Sequence, residues 1–231
     1  MNLDLIIPQN YSIGEIDVSG SRSLPIASES EITPQTYLEF AIQDFMDNQG
    51  NRSKVNAFAN AKRAIHFQTD IISEAFGINQ LPKKDRTNFQ KKIYFCEKCG
   101  TVGKRILGKY NKIRNKVEHN YYHPQEDEVE SIIDIAQLFL AATARYITMF
   151  PSDLEVELIP KTGGSLPTFD GIELPVGEGV IYLHERSIIR KKNTDGSIDI
   201  IEWRKQNSVQ FSVRTSKQYF EWVKVLVSVT Q

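Results

Sequence analysis

The feature that most constrains this chain is a change of hydrophobic period at Pro151. Before it, apolar residues recur every three or four positions, as an amphipathic helix requires. After it they fall in short β-prone runs bounded by turn residues. Thr33 is placed to cap a first helix, with Pro34 at its first position and Tyr37, Leu38, Ala41, Ile42 and Phe45 on one face. A second helix is expected from about Ser53 to Phe76, striped by Phe58, Ala61, Ile65, Ile72 and Phe76 and stopped by Gly77. A third covers about Arg86 to Phe95. A fourth runs from about Val102 to His119, with Ile106, Tyr110, Ile113 and Val117 toward the core. Pro124 restarts the chain, and Glu126, Asp127 and Glu128 complement the positive end of a fifth helix that continues to about Phe150.

Beyond Pro151 the β-prone runs are Leu154–Leu158, Gly179–Leu183, Ile188–Lys192, Ile198–Trp203 and Val209–Val213, with Asn193 to Gly196 as a hairpin turn. The stretch from Ser216 to Val227 fits a helix or a strand. The first 33 residues, rich in Ser, Gly and acidic residues, read as irregular or short extended structure. The expected architecture is therefore α+β: an extended segment over 1–33, an antiparallel helical bundle over 34–150 and a smaller β-rich domain over 151–231.

With 231 residues the chain is long enough to bury a real core. No apolar run approaches the roughly 18 residues of a membrane span, and the acidic start of the chain does not read as a secretory signal. Two cysteines make no disulfide framework, so a cytoplasmic location is the default expectation, with no membrane partner. The net charge of −1 conceals a strong asymmetry. Between Lys83 and Lys116 twelve basic residues face two acidic ones, Asp85 and Glu97, whereas from Glu118 to Asp134 there are six acidic residues and no Lys or Arg. Such a block is either a solvated face or a surface for a polyanion.

Near the end of the basic block stand Arg114 and His119, five residues apart. A guanidinium that stays charged and an imidazole that titrates near neutrality suit cleavage of a phosphodiester. Five helical steps turn about 500°, a net of roughly 140°, so the two cannot share one stripe of a regular helix. They converge only if the helix ends near His119 or if two copies face each other. Asn115 and His119, four apart, can share a face. Spacing alone favours a plainer reading, a surface arginine with a histidine favourable to the helix C-terminus.

The run Ile113-Arg114-Asn115-Lys116-Val117-Glu118-His119, with a long helix before it and a Pro-started acidic helix after it, resembles the HEPN superfamily. Members are helical bundles whose signature is Arg, four to six residues, then His, with a polar residue after the Arg. The resemblance covers residues 53–150 and implies a metal-independent endoribonuclease, a toxin or antiviral defence effector, that leaves 2′,3′-cyclic phosphate ends. It implies a homodimer whose two motif helices build one cleft, with RNA as substrate, no cofactor and no metal. His119 would handle the proton of the 2′-hydroxyl chemistry, Arg114 would hold the scissile phosphate, and Asn115 would orient either. Lys104, Arg105, Lys109, Lys112 and Lys116 would supply backbone affinity for RNA. A toxin subgroup extends the motif to Arg-x4-His-x-Tyr, which Tyr121 matches; there the Tyr is modified by an antitoxin partner. A catalytically inactive HEPN-like module for dimerisation or for nucleotide or RNA binding is the alternative reading.

Cys96 and Cys99 form half of a zinc knuckle without a second half, so they read as reduced thiols or as half of a site completed across a dimer. His66 and Asp70, one turn apart, read as a solvent-facing pair or as a group facing the cleft.

Overall fold

The computed structural model describes the backbone of all residues except 1, 27–29, 48, 102–103, 120–121, 162–165, 193–197 and 231. It describes their side chains except those of 18–20, 104–107, 109, 111, 118–119, 186–192 and 198–206. The protein is a mixed α+β chain with an antiparallel sheet, and it divides into two compact units.

The helical unit comprises 25–75 and 83–150. Helix α1 spans Pro34–Asp47, and α2 spans Asn51–Ala75. Thr33 and Thr36 cap α1 reciprocally, each hydroxyl accepting from the other's backbone N–H at 3.1 and 3.3 Å. Helix α3 spans Phe89–Lys98, three residues later than its expected start. Asn88 sets that start by accepting from the Lys91 N–H, while Lys83–Asp85 forms a separate 3-10 turn. Helix α4 spans Lys104–His119, and α5 spans Glu126–Thr143. The expected run to Phe150 is interrupted by a turn at Ala144, after which the single-turn helix α6 covers Arg145–Thr148.

The core of this unit forms around α2. Ala57, Ala61 and Ala64 let neighbouring helices approach closely, and Phe58 and Ile65 fill the space between them. Against them pack Leu38 and Ala41 of α1, Tyr110 and Ile113 of α4, and Val129, Ile132, Ala136 and Phe139 of α5. Each such large aliphatic side chain, buried from water, contributes about 1.5–3 kcal/mol. Gln68, buried among them, is satisfied by the Thr143 hydroxyl at 3.0 Å.

The sheet unit comprises 1–24, 76–82 and 151–231. Its strands are β1 (Tyr11–Leu24), β2 (Phe150–Pro160), β3 (Phe169–Glu173), β4 (Val180–Lys192) and β5 (Ile198–Ser212), neighbours in that order. The pairs from β2 to β5 are antiparallel. β1 also runs antiparallel to β2: the Asn10 carbonyl bonds Lys161 at one end, and the Arg22 carbonyl bonds Ser152 at the other. The sheet is thus a meander whose first strand is separated from its second by the whole helical unit in sequence.

The N-terminal segment, expected to be irregular or short extended structure, supplies a strand of 14 residues. β4 and β5 each join two runs expected as separate strands. Register shifts between Glu185 and Arg186 and between Ile189 and Arg190 break the alternation and divide the pattern. The expected hairpin turn at 193–196 lies outside the described residues.

The final stretch is helix α7, Gln218–Val229. Its Trp222 is fully buried, meets the Tyr11 ring edge-on at 5.6 Å and donates Nε1–H to the Ile6 carbonyl at 3.1 Å. Tyr219 donates to the Phe76 carbonyl at 2.6 Å. Both aromatic polar tips are therefore satisfied inside the core. The segment 76–82 starts at the C-terminus of α2, where Gly77 takes φ of 86° and ends the helix.

Candidate active site

Helix α4 carries the Arg114-to-His119 motif, and its sequence explains its orientation. Tyr110 and Ile113 are buried in the helical core, and Val117 packs against its edge. That leaves Lys112, Asn115 and Lys116 exposed. Arg114, beside Ile113, is half-buried, with its Nε enclosed. His119 is the last described residue of α4, and residues 120–121 after it lie outside the described residues. Its side chain, and those of Lys104, Arg105 and Lys109, lie outside the described side chains. Tyr121 lies outside the described residues altogether.

Lys116 has local partners. Its ammonium is 2.8 Å from Glu128 and 3.9 Å above the Tyr122 ring. The Glu128 hydrogen bond and then the Tyr122 hydroxyl raise its pKa. The second oxygen of Glu128 accepts from the Gln125 N–H at 2.9 Å, closing the first turn of α5. Partial burial pushes the Glu128 carboxyl up, but the Lys116 hydrogen bond, the Gln125 N–H and the Lys116 charge together outweigh it and hold the carboxyl low. One carboxylate thus ties the end of α4 to the start of α5. Lys112 is exposed, whereas Lys116 reaches a phosphate only by leaving Glu128.

His66 does not pair with Asp70. Its ring stacks on Phe89 at 3.9 Å and 10°, and its Nε2 is 2.6 Å from the hydroxyl of Tyr110. Tyr110 is fully buried one turn before Arg114, so His66 braces the motif helix from α2. Asp70 pairs instead with Lys92 at 2.8 Å. The helical unit also holds an open cavity of ≈ 570 Å3 walled by Tyr37, Lys62, Arg63 and His66.

Cys96 and Cys99 are both buried, at the C-terminal end of α3. Burial, the largest influence, pushes the Cys96 thiol up to about 12. A zinc site shared across an interface needs exposed thiols, and both of these are buried; Cys96 in addition keeps its proton. Among the described residues no cluster of three His, Cys, Asp or Glu side chains could hold a metal. Among them, too, no helix is long and apolar enough to cross a membrane. Comparisons of the chain with protein-family models, with curated proteins and with solved structures find no match.

Proposed function

We propose that the protein is a HEPN-like, metal-independent endoribonuclease that acts as a homodimer, a toxin or antiviral defence effector. The observation that carries this reading is the layout of α4. The helix carries the motif through to His119, Arg114 is half-buried beside the core face, and Asn115 and Lys112 are open on the same helix. Bracing of Tyr110 by His66 holds the turn before Arg114 in place. Two copies related by a two-fold axis through α4 would bring two Arg/His pairs to one scissile phosphate. There Arg114 stabilises charge on the phosphate oxygens, and His119 transfers the proton of the attacking 2′-hydroxyl or of the leaving 5′-oxygen. The sheet unit serves as a regulatory or substrate-selecting module.

The test is incubation of purified protein with total RNA in EDTA, with end-group analysis of the products. Wild type should give 2′,3′-cyclic phosphate ends. His119→Ala should slow cleavage about 10²–10⁴-fold, and Arg114→Ala about 10²–10³-fold. Cleavage that persists in both variants would remove the site assignment. Absence of cleavage on every RNA would favour a binding module.

A further inference from the structure

The strand register of the sheet unit gathers three side chains that lie far apart in sequence. His184 and Ser208 are partners across β4 and β5, and Glu173 on β3 faces Tyr182, two residues before His184. A two-residue step returns a side chain to the same face, so all three share one face of the sheet. Ile172, Leu183 and Val209 fill the opposite, apolar face. His184 Nε2 is 2.7 Å from Glu173 Oε2, and Nδ1 is 2.7 Å from Ser208 Oγ. When the imidazole is neutral, an ionised Glu173, which only accepts hydrogen bonds, takes the Nε2–H and leaves the Nδ1 lone pair facing the serine O–H.

These are the relations of a nucleophile, its base and the group that orients the base. Exposure divides along the same line: His184 is 2% exposed, whereas Ser208 is open to solvent. The Tyr182 ring lies parallel to the imidazole at 5.9 Å and fixes its plane. Gly171 is the partner of His184 on β3, so that strand raises no side chain opposite the imidazole. All three groups stand on strands, which hold geometry more tightly than loops.

We propose that Ser208 is an activated nucleophile that accepts acyl groups from small carboxylic esters, with His184 as its base and Glu173 orienting the imidazole. The proposal is independent of the ribonuclease reading. In the first step the Ser208 proton moves to His184 Nδ1 while Oγ bonds to the ester carbonyl carbon. The tetrahedral intermediate then expels the alkoxide, which takes that proton and leaves as the alcohol. Water hydrolyses the acyl-serine in the second step: His184 takes a proton from the water, the hydroxyl oxygen bonds to the carbonyl carbon, and the carboxylic acid departs as Ser208 regains its proton. Glu173 stabilises the imidazolium formed in each step and is not consumed.

The experiment is labelling of the full chain with a fluorophosphonate probe, read by intact mass and peptide mapping, alongside hydrolysis of p-nitrophenyl acetate. Wild type should carry one label, on Ser208, and Ser208→Ala should carry none. His184→Asn and Glu173→Gln should slow labelling about 10²-fold or more, with folding checked by tryptophan fluorescence. If His184→Asn does not fold, Glu173→Gln alone decides the matter. No label on wild type, a label elsewhere, or a Ser208 rate unchanged in the folded variants would overturn the proposal and leave the cluster as a structural bridge between strands.

Discussion

Gly77→Ala should be among the most damaging single-methyl changes available in this chain. Gly77 has φ of 86°, and a Cβ built on it would lie 2.2 Å from Gly179 Cα and 2.4 Å from Gly179 N. The left-handed backbone costs a non-glycine residue about 1–2 kcal/mol. The methyl meets main chain rather than a mobile side chain, so segment 76–82 must retreat from the β3–β4 turn by about 1 Å, an overpacking that costs another 1–3 kcal/mol. Retreat is resisted, because Gln80 Nε2 bonds the Gly177 carbonyl at 3.2 Å and Tyr219 holds the Phe76 carbonyl. The total is about 2–5 kcal/mol. Gly50→Ala is the control: φ is 73°, but nothing lies within 4 Å of its Cβ, so only the strain of about 1–2 kcal/mol remains. Both tryptophans, Trp203 and Trp222, belong to the sheet unit, so urea unfolding followed by tryptophan fluorescence reports that unit. Far-UV circular dichroism reports the helices. A fluorescence midpoint for Gly77→Ala that shifts no further than the dichroism midpoint for Gly50→Ala would refute the close approach of the two glycine backbones.

Glu128→Gln should cost about 0.5–1 kcal/mol, through loss of the Lys116 bond and a weaker first turn of α5, measured by thermal melting. Its carboxyl is held low in the folded state, so the stabilisation is present above the unfolded carboxylate pKa of about 4.3 and is lost as pH falls through the lower folded value. The difference between wild type and variant should accordingly vanish in acid; a gap that persists at pH 2 would contradict the assignment. Cys96, buried and with its thiol pushed up to about 12, should resist a thiol reagent at pH 8 and react at once in denaturant. Rapid reaction of both cysteines in the native protein would show that α3 does not bury them. Tyr219→Phe should lower stability by about 1 kcal/mol, because the hydrogen bond to the Phe76 carbonyl is lost.

Helix boundaries written in local chemistry were legible in the sequence. Thr33-Pro34 opens α1, Gly77 follows α2, and the acidic first turn opens α5 where the dipole favours it. What was not legible depended on distant partners. β1 looked irregular because its Gly- and Ser-rich pattern carries little alternation; it becomes a strand through bonds to β2, far away in sequence. Asn88 outcompeted an earlier start to α3. At the candidate site the residue types and their place on one helix could be read, but not that Lys116 bonds Glu128 or that His66 turns from Asp70 to Tyr110. The Glu173, His184 and Ser208 cluster had no sequence signal, since only strand register brings those positions together.

The place of β1 beside β2 also imposes an order in time. A chain emerging from the ribosome presents Tyr11–Leu24 before the helical unit, yet the neighbour of that strand begins only at Phe150. The helical unit between them can condense on mostly local contacts while β1 waits with unpaired N–H and C=O groups. Closing the sheet is then a late event that joins a strand made before the helical unit to one made after it. A defect in β1 should therefore reveal itself in the yield of newly made protein, through edge pairing between waiting chains, before it reveals itself in the stability of molecules already folded.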